Sequence, residues 1–509
     1  MDGFIQRHKE DVIGVLTGFD RLLFRGNLRS IAYGEGLDRF LGAVGVRYKD
    51  FGPYAEGLSE KLKSHAEQLA RAAGRPYQYV SKSGQSKEDI AKAIAARDGI
   101  TEGLVCVLRS VEPCMSFSIR RDRGGVFRFI SQERKCLHLY FYYLDREFGL
   151  MHVRLMTWVP FAIQVCLNGR EYLARRMEAA GIGFEQRDNC FVRIDDLPRA
   201  QKMMDELIDR KWERFLGALA KRVNPLPAAL NLLGYYWTVR ESEVATDVMF
   251  KDAAALGKVY PALVNHAIKC FHCRDVLGFL GQRTNARFSG EASSSLLERA
   301  EGVRVKHWIQ ENSIKMYDKQ GSVLRVETTI NNVRRFKVRR MTERKGIRRM
   351  RWIPMRLGLA DLERRVEVSR AANERYLEAL AVVDVPAPVA KLLDSVSRRV
   401  VKNHRPYRPL RPISPEEAKI FRAALSGEFL IRGFTNTEFR HAMGQIEAAD
   451  RQELRRQSGR ATRLLRLLRA HGLIYKVSRT RYYRVTKHGQ QVMSAALTVR
   501  SADVAKLAA

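Results

Sequence analysis

A short segment in the second half of the chain combines the residue types that phosphodiester chemistry needs. It reads KMYDKQGSVLRVE and contains Tyr317, Asp318 and Glu327. The pattern predicts two paired β-strands joined by a turn at Gln320-Gly321. Two carboxylates can hold a divalent metal ion and a tyrosine can attack a phosphate, so we expect Asp318 and Glu327 to bind Mg²⁺ and Tyr317 to act as the nucleophile. The alternative is a structural hairpin in which Arg325 pairs with a carboxylate.

Histidine and cysteine residues that could bind a metal ion are few and scattered. His266, Cys270 and Cys273 recur at the spacing of one helix face, but a zinc site needs four ligands and the chain has no second CxxC. We therefore interpret them as a partly buried face of a helix. His138 and His152 fall on adjacent strands of a predicted hairpin, and they could take the place of a His-hydrophobic-His metal motif.

A second acidic group lies near the middle of the chain, where Glu241, Glu243 and Asp247 follow one another closely. They could bind a metal ion, but we place them at a helix start and expect them to cap it, because acids interact favourably with that end of the helix dipole. The phosphate-binding motif GxxxxGK[ST] is absent, so no nucleotide cofactor is expected. The GxSxG and HExxH motifs are also absent.

The charge of the chain identifies its most probable type of partner. It has 90 Lys and Arg residues against 56 Asp and Glu, a formal net charge of +34 at pH 7. Neutralising a phosphate backbone releases condensed counterions and so gives affinity without sequence specificity. We therefore expect the partner to be nucleic acid, either DNA or a structured RNA. The alternative, a basic protein encoded by a GC-rich genome, is disfavoured because the charge is clustered.

The remaining composition points to a cytoplasmic protein. No run of about 18 apolar residues is present, so we expect no membrane-spanning segment. The N-terminus carries charges where a signal peptide would be apolar. The 7 cysteines show no paired spacing, which is typical of reduced thiols in the cytoplasm.

The distribution of residue types predicts a multidomain α+β fold with five segments. Residues 1–110 are predicted to form an N-terminal α/β module and residues 111–225 a palm-like sheet with the order ββαβα. Residues 226–395 are predicted to be a helical region with a second hairpin and a basic segment. A basic linker at 396–411, rich in proline, leads to a winged helix at 412–509.

The predicted palm-like sheet depends on a few local signals. The runs Lys135–Asp145 and Leu150–Trp158 are aromatic and β-branched, and the turn between them is typical of a hairpin. Asn168-Gly169 opens an amphipathic helix, and Cys190–Ile194 is predicted to return to the sheet as a third strand. The aromatic run Tyr140–Tyr143 could form core, or it could stack single-stranded bases if it were exposed.

The C-terminal segment has the most specific pattern. Two short helices are predicted after the capping residues Ser414 and Thr435, and a third helix over Arg455–His471. Leu473–Val485 is predicted to form a two-stranded wing. The pattern resembles winged helix-turn-helix domains, in which the third helix enters the major groove and the wing contacts the backbone. The alternative is a winged helix that binds protein or RNA.

The basic residues divide into two expected roles. Arg460 and Arg463, near the start of the third helix, are the candidates for contacts to base edges. The basic segment, the linker and the wing are expected to contact phosphates. The residues expected to bind nucleic acid are Arg334, Arg335, Lys337, Arg339, Arg340, Arg348, Arg349, Lys402, Arg405, Arg408, Arg455, Arg456, Arg460, Arg463, Lys476, Arg479 and Arg481.

Four segments carry a resemblance to a family: TGFDRLLFRG (17–26), TWVPFAIQVCLNGRE (157–171), ATDVMF (245–250) and IKMYDKQGSVLRVETTINN (314–332). Over most of its length the chain resembles a widespread, multicopy family of bacterial proteins associated with mobile elements. That resemblance implies a context and no mechanism. The words YDK and LRVE also resemble, over about fifteen residues, a segment of rolling-circle replication initiators, although the His-hydrophobic-His motif of that wider class is missing.

Two hypotheses about function follow from these patterns. The first is a nucleic-acid-binding protein of a bacterial mobile element that acts on DNA as a transposase or a replication initiator does. The second is a non-catalytic protein that forms a ribonucleoprotein with a structured RNA. An enzyme would need the groups of the Tyr317–Glu327 hairpin to be convergent and accessible, whereas a binder would bury them or pair them with arginines.

Overall fold

The protein is a multidomain α+β chain, as the sequence predicts. The computed structural model describes residues 1–502 apart from 82–83, 122–123, 283–289, 300–301, 345, 384–388, 403, 428, 430–432, 445–449 and 479. Within those described residues, no helix is both long and apolar enough to cross a membrane.

Helices occur along the whole chain, and several begin where a capping side chain was expected. Ser414 accepts a hydrogen bond from the Glu417 N–H, and Asn168 accepts from the N–H groups of Arg170 and Glu171. The helices are α1 (Asp2–Arg7), α2 (Gly34–Ala43), α3 (Phe51–Ala72), α4 (Lys87–Arg97), α5 (Gly169–Ala179), α6 (Leu197–Glu206), α7 (Trp212–Val223), α8 (Leu226–Ala229), α9 (Ala253–Cys270), α10 (Cys273–Phe279), α11 (Leu362–Leu380), α12 (Val389–Val396), α13 (Pro415–Ala424), α14 (Asn436–Ala442), α15 (Arg451–Ala470) and α16 (Lys487–Ser501).

The strands include several that are much longer than the apolar runs that predicted them, because polar residues on one side continue the pairing. The strands are β1 (Val12–Leu28), β2 (Tyr77–Tyr79), β3 (Gly103–Arg121), β4 (Phe127–Asp145), β5 (Gly149–Met156), β6 (Ile163–Asn168), β7 (Phe184–Gln186), β8 (Phe191–Ile194), β9 (Tyr235–Phe250), β10 (Ala292–Arg299), β11 (Gly302–Ile309), β12 (Asn312–Lys319), β13 (Val323–Ile330), β14 (Lys337–Arg344), β15 (Ile347–Pro354), β16 (Val400–Lys402), β17 (Arg405–Tyr407), β18 (Ile474–Lys476) and β19 (Tyr483–Val485).

The chain divides into two compact units that each combine separate stretches of sequence. The first unit comprises Met1–Ile13, Val248–Val326 and Ala371–Ala509, and the second comprises Gly14–Asp247 and Glu327–Arg370. Contacts between distant stretches therefore build both units.

The second unit is built around a largely antiparallel sheet. Its strand order is β9-β1-β6-β5-β4-β3-β2, and β2 pairs with β3 in parallel. The hairpin predicted over Lys135–Asp145 and Leu150–Trp158 is present as β4 and β5. The predicted palm-like order is wrong in one member, because the strand expected at Cys190–Ile194 does not return to this sheet. It forms β8, which pairs with β7 as a separate two-stranded sheet.

The first unit contains the second predicted hairpin and the C-terminal segment. Strands β10, β11, β12 and β13 lie side by side in that order, and β13 belongs to this unit as far as Val326 and to the second unit from Glu327. Gln320 and Gly321 form the turn between β12 and β13 with positive φ angles of 56° and 76°. The prediction that Glu241, Glu243 and Asp247 lie at a helix start is wrong, since all three belong to β9 and α9 begins only at Ala253. The end of β9 is a short run of buried residues, which periodicity alone does not distinguish from a helix.

Among its described residues, the C-terminal segment has three helices and a two-stranded wing in the predicted order, and a further helix follows the wing. These are α13, α14, α15, the β18–β19 pair and α16. Phe421, Phe434, Phe439, Leu465 and Leu468 are buried in one hydrophobic cluster. The segment predicted as a linker contains the short β16–β17 pair, and the buried side chain of Leu410 belongs to the same cluster.

Candidate metal centre

Three carboxylates from three strands meet inside the second unit. Asp20 lies on β1, Glu243 on β9 and Glu327 on β13, and one oxygen from each lies within 4.8 Å of the others. Glu327 is only 1% exposed and Asp20 is buried as well, while Glu243 is half-buried. Among the described residues this is the one group of three or more potential ligands close enough to hold a metal ion. We refer to Asp20, Glu243 and Glu327 as the acidic triad.

Hydrogen bonds hold the strands that carry the acidic triad in place. The Thr17 hydroxyl of β1 donates to the Thr246 hydroxyl of β9 at 3.0 Å. The guanidinium of Arg365 on α11 donates to the Val239 carbonyl of β9 at 2.6 Å and to the Ile330 carbonyl of β13. Arg365 is buried, and its burial lowers its pKa to about 10. These contacts connect β1 to β9, and β9 to β13 through Arg365.

A fully buried arginine lies beside the acidic triad. Arg170, in the first turn of α5, is 0% exposed, and its Nη2 lies 3.0 Å from Asp247 and donates to the Ala245 carbonyl at 3.2 Å. Its Nε lies 3.8 Å from the Asp20 carboxylate. A buried charge is stable only when it is paired and hydrogen-bonded, so Arg170 and these two aspartates depend on each other.

Helix α5 approaches β1 closely enough to require glycine. A Cβ at Gly169 would lie 2.2 Å from the Phe19 carbonyl oxygen, a backbone atom that cannot move aside alone. The close approach brings the positive end of the α5 dipole next to Asp20, and this potential favours a negative charge there. Asn168 caps the same helix end.

The separate β7–β8 pair contacts the acidic triad through the loop between its two strands. Its connecting loop presents Asn189, whose amide donates to the Asp20 Oδ1 at 2.8 Å. The Asn189 carbonyl oxygen in turn accepts from the Asn168 amide at 2.9 Å. A chain of amides thus orients the Asp20 carboxylate, which is the role of the second shell around metal ligands.

The side of the acidic triad nearest to solvent is marked by Arg21. Its guanidinium pairs with Glu241, its Nε lies 3.6 Å from Glu243, and its side chain is 50% exposed. Burial would lower the pKa of Arg21, but the negative charges of Glu243 and Glu241 outweigh it and raise that pKa. Glu243 is therefore the member of the acidic triad that lies nearest to solvent.

The chemistry of the acidic triad fits a hard divalent cation. Its donors are all carboxylate oxygens, which suit Mg²⁺, Mn²⁺ and Ca²⁺ better than zinc or copper. Two unit charges separated by 4.8 Å repel each other by about 3 kcal/mol at an effective dielectric constant of about 20. A cation bound among the three oxygens would replace this repulsion by attraction. The residues present can therefore hold a metal ion, although they do not identify which one.

The predicted catalytic residues fall into two groups. Glu327 is a member of the acidic triad, whereas Asp318 and Tyr317 are half-buried residues of β12 in the first unit, and Tyr317 lies opposite Arg304 in the register. Burial raises the pKa of Asp318 against an opposing hydrogen bond from the Gly321 N–H, and its Oδ1 is buried without a hydrogen-bond partner. The roles of Asp318 and Tyr317 stay predictions.

The histidines considered as metal ligands do not form a site. His138 lies opposite Met156 and His152 opposite Tyr142, so the two imidazoles are four positions apart in the register, about 14 Å along the strand. Burial lowers the pKa of each to about 4. The single helix expected for His266, Cys270 and Cys273 is also wrong, because α9 ends at Cys270 and Cys273 begins α10.

The basic residues predicted to contact nucleic acid lie at the surface wherever they are described. Arg340 is half-buried and pairs with Asp361, and Arg479 lies outside the described residues. The others are exposed: Arg334, Arg335, Lys337, Arg339, Arg348, Arg349, Lys402, Arg405, Arg408, Arg455, Arg456, Arg460, Arg463, Lys476 and Arg481. Some of them have acidic partners, as Arg348 has in Glu343 and Arg408 in Glu417. These positions are compatible with phosphate binding and do not by themselves test it.

Sequence reasoning missed Asp20 and misplaced Glu243. Asp20 lies inside the 17–26 segment, which was considered only for a family resemblance, whereas in the structure it is a residue of β1, which continues for eight residues beyond it. Glu243 was assigned to a helix start, but the alternation in YYWTVRESEVATDV is that of a strand. An acidic side chain on a buried strand is the signal that could have found both, because such a charge needs a partner.

Comparison of the chain with protein-family models, with curated proteins and with solved structures finds no match.

Proposed function

We propose that the protein binds DNA and uses the acidic triad to carry out metal-dependent cleavage of phosphodiester bonds, as a transposase or a replication initiator of a bacterial mobile element does. The observation that carries the proposal is the convergence of Asp20, Glu243 and Glu327 within 4.8 Å in a chain of net charge +34. A divalent cation bound among the three carboxylates would stabilise this concentration of negative charge, and carboxylate oxygens are the ligands that hard divalent cations prefer.

The residues of the second unit have distinct parts in this proposal. The acidic triad holds the cation, and Mg²⁺ is the ion we expect because its ligands are carboxylates and substrate phosphates. Such an ion would stabilise charge on the phosphate and activate a water molecule. Asn189 orients Asp20, and Arg170 balances the buried charge of Asp20 and Asp247. Arg21, at the exposed side, is placed to attract a phosphate towards Glu243.

A second candidate function is a non-catalytic ribonucleoprotein, and the burial of Glu327 favours it. In that case the acidic triad would hold a structural ion, and the exposed arginines would bind a structured RNA. Purification without nuclease, followed by sequencing of the nucleic acid that accompanies the protein, separates the two functions. A single RNA species supports the ribonucleoprotein, whereas mixed or absent nucleic acid favours action on DNA.

The direct test is cleavage of supercoiled and single-stranded DNA in the presence of Mg²⁺ or Mn²⁺. We expect nicking that EDTA abolishes, and at least about a hundred-fold slower nicking by Glu327→Gln, since the metal supplies several kcal/mol of transition-state stabilisation. The matched control is Glu206→Gln, which removes an exposed carboxylate paired with Arg176 on a helix face. Circular dichroism and DNA binding establish that the Glu327→Gln protein is folded.

A further variant separates two kinds of cleavage. Tyr317→Phe leaves the acidic triad intact, so hydrolysis by water should continue at an unchanged rate. If Tyr317 is the nucleophile, this variant loses instead the covalent protein–DNA product that denaturing gels detect. Absence of metal-dependent cleavage in the wild-type protein, on every DNA substrate, would contradict the proposed function.

A further inference from the structure

The basic segment that follows β13 folds into an exposed two-stranded ribbon. Strands β14 and β15 pair with each other and form a sheet separate from the large one. Of the residues 337–354, eight are Lys or Arg and one, Glu343, is acidic. Nearly all the described residues of β15 are exposed or half-buried. We call 337–354 the basic ribbon.

The basic ribbon is anchored at its base. The Met355 N–H donates to the Phe336 carbonyl at 2.9 Å, and both side chains are buried. Arg340 pairs with the buried Asp361, and the Arg364 Nε donates to the Lys337 carbonyl at 3.0 Å. An isolated two-stranded hairpin is marginally stable, so these contacts fix its direction while the strands extend into solvent.

The register of the basic ribbon creates a face that is both apolar and basic. Met341 lies opposite Met350 and Arg339 opposite Trp352, so the four side chains share one face. Trp352 is 57% exposed and Met341 56% exposed. The Arg364 guanidinium lies 5.4 Å from the centre of the Trp352 ring and restricts the orientations of the indole. Large apolar side chains exposed together among arginines mark a binding surface.

We propose that this face of the basic ribbon binds single-stranded DNA. A base stacks on Trp352, neighbouring bases pack on Met341 and Met350, and Arg339 with Lys337, which lies on the same face, contacts phosphates. The inference rests on the proposed function only in taking DNA as the partner. It adds that the protein engages an unpaired strand, at a surface distinct from the acidic triad.

The apolar part of the face decides between a single strand and a duplex. In a duplex the faces of the bases are covered by stacking, so a protein meets groove edges and phosphates, where an indole and two thioethers gain little. In a single strand each base offers its apolar face to an aromatic side chain. The other aromatic run, Tyr140–Tyr143, cannot do this, because its side chains are buried.

The test compares the binding of short fluorescein-labelled oligo(dT) with that of a duplex of equal length, measured by anisotropy. We expect Trp352→Ala to weaken oligo(dT) binding about ten-fold, the order expected for one stacked base, and to change duplex binding less than two-fold. Trp352→Phe should retain most of the affinity. Oligo(dT) should also quench tryptophan fluorescence of the wild-type protein, and this quenching should be lost in Trp352→Phe although binding remains.

The control variant is Tyr33→Ala, which removes another strongly exposed aromatic side chain of the second unit, and it should bind oligo(dT) as the wild type does. Unchanged oligo(dT) binding in Trp352→Ala overturns the inference and leaves the proposed function standing. Equal losses for oligo(dT) and duplex, or equal losses in Tyr33→Ala, overturn the single-strand assignment. Preference for oligo(rU) over oligo(dT) by ten-fold or more overturns the assignment to DNA. Failure of the wild-type protein to bind any DNA contradicts the proposed function itself.

Discussion

Arginine occurs both beside the acidic triad and on the third helix of the winged segment, but it is buried in the first region and exposed in the second. Arg170 is fully buried and contacts two aspartates and a carbonyl. On α15, by contrast, Arg455, Arg456, Arg460 and Arg463 are all exposed. The buried arginine needs partners within the protein and the exposed ones do not, since burial removes the water that would otherwise solvate the charge.

The net charge of the chain therefore reflects its exposed residues and does not indicate which charged groups lie together inside the fold. The charge of +34 comes from residues such as those of α15, which can be exchanged for one another at little cost to the fold. The acidic triad contributes three negative charges to the same net charge, and the value of +34 gives no sign of them. The free energies of unfolding of matched variants in the two regions test whether buried and exposed arginines differ in this way.

The largest effect is expected from Arg170→Met. It removes the buried positive charge that pairs with Asp247 and lies beside Asp20, so we expect the free energy of unfolding to fall by about 3–5 kcal/mol. Arg176→Met is the matched control, because Arg176 lies on the same helix but pairs with Glu206 at the surface, and it should cost less than about 1 kcal/mol. Urea denaturation measures both, and equal costs would remove the distinction between buried and exposed arginines.

A smaller effect is expected from Gly169→Ala, which tests the close approach of α5 to β1. The added Cβ would meet the Phe19 carbonyl, so α5 must shift, at a cost of about 1–3 kcal/mol. Gly217→Ala, inside α7, meets no atom within 4 Å and should stabilise the protein by up to about 1 kcal/mol. Thermal unfolding compares the two, and a neutral Gly169→Ala would show that the approach is not close in solution.

The smallest effect on stability is expected from replacing Arg460 and Arg463 with alanine. Both are exposed, so the free energy of unfolding should change by less than about 0.5 kcal/mol each. If both contact DNA phosphates, the slope of log affinity against log salt should become shallower by about 2. If they read bases, the double variant should also lose sequence preference. An unchanged slope with unchanged preference would remove α15 from the DNA-binding surface.

Much of the fold could be predicted from the sequence, because local signals determine it. Caps such as Ser414 and Asn168, the turn at Gln320-Gly321 and the strand pattern of β4 and β5 each depend on neighbouring residues. The α+β class and the helix order of the C-terminal segment followed from them. The pairing of β8 with β7 could not be predicted, since two short strands carry no signal for their partners.

The candidate site was predicted only in part, for a related reason. Glu327 was identified because it lies near other polar residues in the sequence, whereas its partners Asp20 and Glu243 come from distant strands. Asp20 lies inside 17–26, a segment that served only to carry a family resemblance. The spacing of these residues in the sequence does not predict that β1, β9 and β13 are neighbours, because the order of strands in a sheet decides which strands lie side by side.

The origin of the three ligands also has a consequence for the synthesis of the protein. Asp20 and Glu327 are separated by more than 300 residues, and β13 ends at Ile330. A nascent chain therefore carries Asp20 and later Glu243 outside the ribosome long before the third carboxylate emerges. The centre cannot close during translation until the strand with Glu327 has left the exit tunnel, so a chain that stops before β13 lacks one of the three carboxylates.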